Sequence, residues 1–479
     1  MAQRAVLALA LYCLCAWSAV AQADGVERLH NAIARLVDEA KLGDRVGIDV
    51  VRLVDGSALY QKHAKEPRNP ASNQKLLTAA AALWNLGPTF RVSTRVEGVL
   101  RDGTVERLIV RPRGDPSLAY RGVQAIAEAL RLRGVDRAEQ IVIDDSYFDA
   151  EMLPPAFDQQ PKEDAAFRAA VAAFSVNRNS YVVHVGPGPS SGSPGRVRVL
   201  ADEYVVLENT TTTKPSGPPK VRMEQRETDD GRLEVKVGGE VPATVRTLYY
   251  RRRVPDPRAH AASLWLRALR SAGIGGAQKI DYVPAPERLP VLADLSSKEL
   301  SAMLYSVGKW SDNFAAEMIL KIMGAEAEIP GTSAKGVEVV REELARHGVD
   351  TSGLVMVNGS GLFEGNAVSP KQITDTLVAV YRDPAIQAEY IAQLAVGGAD
   401  GTLQSRLKNL PQPRMVRAKT GTLRDTVALS GYVLGDPGRS FAFSILANGV
   451  AGRQAEARDL ADAIVRVLAR YATAPAGAP

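Results

Sequence analysis

Three short motifs carry side chains that could perform acyl transfer together. The first is Ser72-Asn73-Gln74-Lys75. Residues three apart on a helix share a face, so Lys75 can lie beside the Ser72 hydroxyl. A serine is a poor nucleophile until a base takes its proton, and a lysine is a base only when burial or nearby positive charge lowers its pKa. The motif predicts a nucleophile, Ser72, with Lys75 as its base; a plain helix N-cap is the structural alternative for the serine.

The second motif is Ser311-Asp312-Asn313, in a segment with helical patterns on both sides. On a short turn, Ser311 could relay a proton to a leaving amine, and Asn313 could bind a substrate amide. The structural alternative is that the motif only caps the helix that follows it.

The third motif is Lys419-Thr420-Gly421, followed by Thr422 in a strand-like stretch from Met415 to Leu423. Lys419 could supply the positive charge that the helix lysine needs, and the lysine and two threonines are suited to holding a carboxylate. Gly421 would leave the strand surface open to a peptide added as a further strand. The backbone N–H groups of Ser72 and Thr422 are predicted to form an oxyanion hole. An edge strand with a glycine bulge is the structural alternative.

The remaining composition excludes several other classes of site. The 479 residues include only 5 histidines and 2 cysteines. No two histidines have the spacing of a metal site, and Asn358-Gly359-Ser360-Gly361 lacks the first glycine of a nucleophile elbow. A net charge of +5 is mild for this length and does not require nucleic acid. We therefore expect no metal, no cofactor and no nucleic-acid partner.

The first 23 residues are predicted to be a cleaved signal peptide. Arg4 precedes an apolar run from Ala5 to Trp17, and small residues suitable for cleavage follow at Ala19–Ala23. A membrane anchor is the alternative, but the run is short for a span. Both cysteines, Cys13 and Cys15, would leave with the signal. The mature chain is thus predicted to be periplasmic and free of disulfides.

The rest of the chain changes in pattern after Phe90 and again after Pro257. Helix and strand patterns precede Phe90, short β-branched segments dominate residues 91–250, and helical patterns then return. Two apolar segments, Thr426–Leu434 and Ser440–Ala447, suggest a hairpin before a final amphipathic helix, Gln454–Tyr471. That helix could touch a membrane surface weakly, although packing on a sheet is the favoured interpretation. The fold class is α/β (α+β), with a β-rich insertion.

The three motifs in this order are typical of class A β-lactamases and penicillin-binding proteins. The chain resembles the exported class C penicillin-binding proteins that act as D-alanyl-D-alanine carboxypeptidases and endopeptidases. The resemblance covers nearly the whole mature chain and extends to Pro70–Thr78, Gly114-Asp115-Pro116, Asn358–Leu362, Gly397–Leu403 and Ala418–Leu423. The 236 positions between Lys75 and Ser311 are far more than β-lactamases have.

The resemblance implies a transpeptidase/β-lactamase-like catalytic domain, helices packed on an antiparallel sheet, with two nested β-rich domains. The catalytic domain would comprise residues 24–90 and 286–479, the first insertion 91–180 and 246–285, and the second 181–245. It implies that Ser72 is acylated, that Lys75 is the general base, and that Ser311, Asn313 and Lys419 complete the site.

The implied partners are peptidoglycan stem peptides ending in D-Ala-D-Ala, D-alanyl cross-links and β-lactams. Glu364 stands where the family usually has an arginine near the stem-peptide side chain, which affects the expected side-chain preference. The alternatives are a β-lactamase and a non-hydrolytic protein that binds the cell wall or senses penicillin.

Overall fold

The computed structural model describes residues 25–199, 203–436 and 438–474. The predicted signal peptide, with Cys13 and Cys15, lies outside the described residues. The chain divides into two compact units. Unit 1 comprises the chain up to Pro88, Leu304–Asp312 and the chain from Val337 onward, and unit 2 comprises Thr89–Met303 and Asn313–Gly336.

Unit 1 is built on a six-stranded antiparallel sheet. Its strands are β1 (Val46–Arg52), β2 (Ala58–Lys62), β16 (Ala395–Val396), β17 (Val416–Thr422), β18 (Val427–Val433) and β19 (Phe441–Ala447). Their order in the sheet is β16-β17-β18-β19-β1-β2. Every residue of β18 and β19 is buried, because helices cover both faces of the sheet.

The helices with residues in this unit are α1 (residues 25–40), α2 (Gln74–Leu86), α5 (Leu300–Lys309), α7 (Ser333–Arg346), α8 (Pro370–Arg382), α9 (Gln387–Gln393) and α10 (Gln454–Thr473). Leucine, isoleucine and valine side chains of α1 and α10 join the core on one face of the sheet. On the other face, the Tyr432 hydroxyl donates to the Leu377 carbonyl of α8 at 2.7 Å. The final helix therefore packs on the sheet, as favoured. Within the described residues no helix has the length and apolarity that crossing a membrane requires.

Unit 2 contains a seven-stranded mixed sheet in which β5 and β6 are parallel. Its strands are β3 (Ser93–Glu97), β4 (Leu100–Arg101), β5 (Thr104–Pro112), β6 (Arg137–Ile143), β13 (Gly275–Gly276), β14 (Ile280–Tyr282) and β15 (Val291–Ser296). Helices α3 (Tyr120–Leu132) and α4 (Pro257–Ser271) share an apolar cluster with this sheet. Helix α6 (Asn313–Ala327) also belongs to this unit.

Two three-stranded sheets also belong to unit 2, within the part of the chain where short β-branched segments dominate. They comprise β7 (Ser180–Gly186), β8 (Arg196–Val199) and β12 (Leu248–Arg253), and β9 (Val205–Lys214), β10 (Lys220–Glu227) and β11 (Leu233–Pro242). Valine side chains of β7 and β11 share one small core. The division of the chain into three domains stays a prediction.

One boundary between the two units differs from the expected end of the insertion. The catalytic domain is expected to resume at residue 286, but β15 pairs antiparallel with β3, and residues 291–296 belong to unit 2. The second motif lies between two helices, as its pattern predicts, because α5 ends at Lys309 and α6 begins at Asn313. Ser311 lies between them with φ 59°, which is incompatible with a continuous right-handed helix.

Candidate active site

Ser72 lies in a short 3-10 turn, Ala71–Asn73, directly before α2. The preceding residue, Ala71, has φ 45°, a left-handed conformation that costs a non-glycine residue about 1–2 kcal/mol. Hydrogen bonds hold it there: the Ala71 N–H donates to Asn69 Oδ1 at 2.9 Å, and Asn69 exchanges backbone-to-side-chain bonds with Asn448 at 2.8 and 3.0 Å. The turn leaves Ser72 partly exposed.

Lys75 lies one helical turn beyond Ser72, as the i, i+3 spacing predicts. Its Nζ donates to Ser72 Oγ at 3.0 Å and to the Ser360 carbonyl at 2.5 Å. The Lys75 side chain is buried, whereas the serine is reachable. A buried amine in contact with a reachable hydroxyl is the geometry that general-base activation requires.

The loop Asn358–Leu362 supplies the second partner of Lys75. Thr78 Oγ1 donates to the Gly359 carbonyl at 2.8 Å, and the Gly361 N–H donates to Asn358 Oδ1 at 2.9 Å. Gly361 has φ +71°, and a Cβ there would lie 1.9 Å from the Ala71 carbonyl oxygen. Only glycine permits this contact between the loop and the nucleophile turn. The sequence analysis used this segment to exclude a nucleophile elbow and to support the resemblance, and it missed the positioning role.

Lys419 and Ser311 form the other pair that the structure brings together. Lys419 Nζ donates to Ser311 Oγ and to the Thr420 carbonyl, both at 2.8 Å. Burial, and then the positive charge of Lys75, hold the pKa of Lys419 well below the usual lysine value. The repulsion that the sequence analysis expected between the two lysines is therefore present.

Asn73, the second residue of the first motif, ties the nucleophile turn to the sheet. Its buried side chain contacts Ser430 Oγ at 2.6 Å. The neighbouring groups orient the amide so that Nδ2 donates to the Lys419 carbonyl at 3.0 Å and Oδ1 accepts from the Ser430 N–H at 3.1 Å. The sequence analysis gave Asn73 no role, because a variable position inside S-x-x-K carries no signal of its own.

Strand β17 carries the third motif and offers a free edge. On one side it pairs with β18 throughout; on the other, β16 pairs only with Ala418 and Arg417. Beyond Ala418, no described strand occupies that edge. The missing side chain of Gly421 admits the nucleophile turn of the chain itself, because a Cβ there would meet the Ala71 Cβ and the Pro70 carbonyl at 3.0 Å. Its role in leaving the strand open to a peptide stays a prediction.

The remaining predicted residues have different surroundings. Thr420 Oγ1 donates to Thr402 Oγ1 at 2.8 Å, and Thr422 is exposed at the end of β17. Asn313 begins α6 in unit 2, where its Nδ2 donates to the Phe167 carbonyl at 3.0 Å. Its part in the site stays a prediction from its motif. Glu364 is exposed.

Most of the chain is similar to a known family and to named relatives. Residues 29–471 match the model of the D-Ala-D-Ala carboxypeptidase 3 (S13) family. A D-alanyl-D-alanine carboxypeptidase of Actinomadura sp. (strain R39) is 36% identical over 484 residues, covering 96% of this chain and 88% of the relative. A D-alanyl-D-alanine carboxypeptidase DacB of Haemophilus influenzae is 25% identical over 425 residues, covering 87% of this chain and 88% of the relative.

Two solved structures show the fold. The crystal structure of penicillin binding protein 4 (dacB) from Haemophilus influenzae superposes with a TM-score of 0.75 at 23% identity, covering 88% of this chain and 94% of that chain. The same protein in complex with a β-lactam gives a TM-score of 0.72, covering 91% and 97%. The predicted fold class, a penicillin-binding fold of mixed α and β structure, is confirmed.

Proposed function

The chain belongs to the D-Ala-D-Ala carboxypeptidase 3 (S13) family, and from this premise we propose that Ser72 is the nucleophile with which it hydrolyses peptidoglycan stem peptides. The family confirms the predicted enzyme class, a serine-type D-Ala-D-Ala carboxypeptidase. We further propose that D-alanyl cross-links are cleaved at the same site, since both substrates present the same acyl group.

Lys75 is the general base of the proposed reaction. Ser72 Oγ attacks the carbonyl carbon of the penultimate D-Ala while its proton passes to Lys75 Nζ, 3.0 Å away. The C–N bond breaks, the amine leaves with a proton, and water then hydrolyses the ester. Lys75 must be neutral before the attack, and its side chain is buried. The N–H groups of Ser72 and Thr422 hold the oxyanion.

Ser311 is the proposed proton donor to the leaving amine. Its hydroxyl would give its proton to the amine nitrogen and take one in turn from Lys419 Nζ, 2.8 Å away. Thr420, Gly421 and Thr422 lie on the open edge of β17, where a peptide could align as an added strand and its terminal carboxylate would meet the threonines. By its motif alone, Asn313 stays the proposed ligand of a substrate amide.

Penicillins are proposed to acylate the same serine. The β-lactam ring presents a strained acyl group, and the Haemophilus influenzae relative has been crystallised with a β-lactam.

The substrate lies outside the cytoplasmic membrane, so the proposed location is the periplasm, reached through the signal peptide of residues 1–23. The single observation that carries the proposal is the chain of contacts from Ser72 through Lys75 to Ser360.

Incubation with purified muropeptides tests the proposal. The wild-type protein should release D-Ala from stems ending in D-Ala-D-Ala and split D-alanyl cross-linked dimers, and Ser72→Ala should do neither. Release of D-Ala by the Ser72→Ala variant would contradict the nucleophile assignment. Fast hydrolysis of penicillin with no action on muropeptides would favour the β-lactamase, and no reaction with muropeptides or penicillin would favour a binding protein.

A further inference from the structure

A cluster of positive charge lies beside β17, at the end remote from the nucleophile turn. It comprises Lys309, Arg414 and Arg417, with one carboxylate, Asp400, in contact. Lys309 is buried, and its Nζ donates to both oxygens of Asp400 at 2.9 and 2.8 Å. Asp400 also accepts the Val396 N–H at 2.8 Å. One carboxylate is thus already committed, and the cluster keeps an excess of about two positive charges.

The Arg417 side chain has a buried hydrogen-bond donor that is not satisfied within the described part of the chain. The Arg417 Nε is buried and has no hydrogen-bond partner among the described residues. Burial, and then the nearby charge of Arg414, lower the pKa of Arg417. Arg414 is exposed, and its backbone has φ 64°, a strained conformation for a non-glycine residue. Like charges held close together without enough acid between them are typical of a site for an anionic ligand.

An open cavity and exposed aromatic side chains accompany the cluster of positive charge. Arg414 forms part of the wall of an open cavity of about 400 Å³, together with Gly397, Gly398 and Lys408. Two aromatic side chains precede Ser311: Tyr305 is 50% exposed and Trp310 is 63% exposed. Lys309 Nζ lies 5.3 Å from the centre of the Tyr305 ring. Tyr305 is also close enough to Arg417 to act on its charge. Aromatic and arginine side chains are both enriched in surfaces that bind other chains.

The order of groups along β17 places this cluster on the leaving-group side. Gly421 lies against the nucleophile turn, Lys419 contacts Ser311, and Arg417 pairs with β16 two residues further along. Side chains of Arg417 and Lys419 share a face and are about 7 Å apart along the strand. If Ser311 returns the proton to the leaving amine, then whatever that amine belongs to extends toward Arg417.

Resting on the proposed function, we propose that Arg414 and Arg417, with Trp310 and Tyr305, form a subsite for the second stem peptide of a cross-link and bind its free carboxylates. A terminal D-Ala leaves as one small amino acid and does not reach this far. A cross-linked dimer loses a whole acidic peptide, which does. Arginine suits the role because its planar fork holds a carboxylate through two hydrogen bonds.

The test compares two substrates of one active site, a stem peptide ending in D-Ala-D-Ala and a D-alanyl cross-linked dimer. Arg414→Gln and Arg417→Gln should each lower the ratio of dimer to monomer kcat/KM by about 10-fold, as expected for one charge-assisted hydrogen bond. Arg470→Gln, an exposed arginine on α10, is the matched control and should leave the ratio unchanged. Because Arg414 is exposed, its variant tests the subsite without disturbing the sheet.

A second dimer identifies the ligand group. The ligand group is tested with a synthetic dimer that carries amides in place of the free carboxylates of its second stem. With the wild type, its kcat/KM should be lower than that of the unmodified dimer by the same factor. With the arginine variants, the amides should lower kcat/KM little further. An unchanged ratio, or equal cleavage of the amidated dimer by the wild type, would overturn the inference. Release of terminal D-Ala without any cleavage of dimers would overturn the inference alone. Failure on both substrates would overturn the proposed function as well.

Discussion

A single methyl group at position 361 should separate the positioning of Lys75 from the stability of the fold. In Gly361→Ala, the new Cβ would lie 1.9 Å from the Ala71 carbonyl oxygen, whereas real Cβ contacts stay beyond 3.0 Å. The loop and the nucleophile turn must therefore move apart by about 1 Å. That shift stretches the 2.5 Å bond from Lys75 to the Ser360 carbonyl, which belongs to the same loop.

The expected loss follows from that bond. A hydrogen bond to a charged group contributes about 1.5–3 kcal/mol, which corresponds to about 10- to 150-fold in rate if it is lost in the transition state. Stopped-flow acylation by a fluorescent penicillin measures this rate. Thr78→Val, which removes the 2.8 Å bond to the Gly359 carbonyl and a longer one, 3.5 Å, to the Gln74 carbonyl of its own helix, should show a smaller loss of about 2- to 10-fold.

The control is Gly348→Ala. Gly348 also has a positive φ, +81°, but a Cβ there meets nothing within 4 Å. Both alanine variants carry the left-handed backbone cost, so both should lower the melting temperature, yet only Gly361→Ala should slow acylation. Wild-type acylation by a folded Gly361→Ala protein, together with wild-type acylation by Thr78→Val, would refute the view that this loop positions Lys75.

Three further predictions concern residues around the same sheet. Asn73→Ala should slow acylation by at least about 10-fold by leaving buried groups of Lys419 and Ser430 unpaired, and wild-type rates in the folded variant would contradict this. Because the pKa of Lys419 is lowered, mainly by burial, its charge is lost at a lower pH than for an ordinary lysine. On the alkaline side, kcat/KM should therefore begin to decrease at a pH below the ordinary lysine pKa of about 10.4. Lys419→Arg should lack this decrease. Burial also raises the pKa of Asp49, so its favourable contribution is complete at low pH and is lost as pH rises through the raised pKa. Asp49→Asn, which can still accept from Gln61, should thus raise the melting temperature at pH 8 by about 2–4 °C and not at pH 4; identical shifts at both would refute it.

The chemistry of the site was accessible from the sequence because it depends on local spacing. A spacing of three positions from Ser72 to Lys75 is enough to place them on one helix face, and the structure puts their polar atoms 3.0 Å apart. The alternation of β17 likewise places Lys419 on a single face of a strand. These relationships follow from backbone geometry alone.

Long-range positioning was not accessible in the same way. The contact from Lys75 to Ser360 joins residues 285 positions apart, and no periodicity encodes it. The glycines of Asn358-Gly359-Ser360-Gly361 were the available signal, since a glycine with positive φ often marks a close approach of two chains. The difference between the predicted boundary at residue 286 and the boundary of unit 2 has a similar cause, because the pairing of β15 with β3 is set by tertiary contacts rather than by composition.

The most direct test of the central claim is the mass of the protein after reaction with penicillin. Wild type should gain one penicilloyl group, and peptide mapping should locate it on Ser72, 3.0 Å from its base. Lys75→Met should form no adduct within the time in which the wild type is fully labelled. Adduct formation in Ser72→Ala, or mapping of the wild-type adduct to any other residue, would contradict the account.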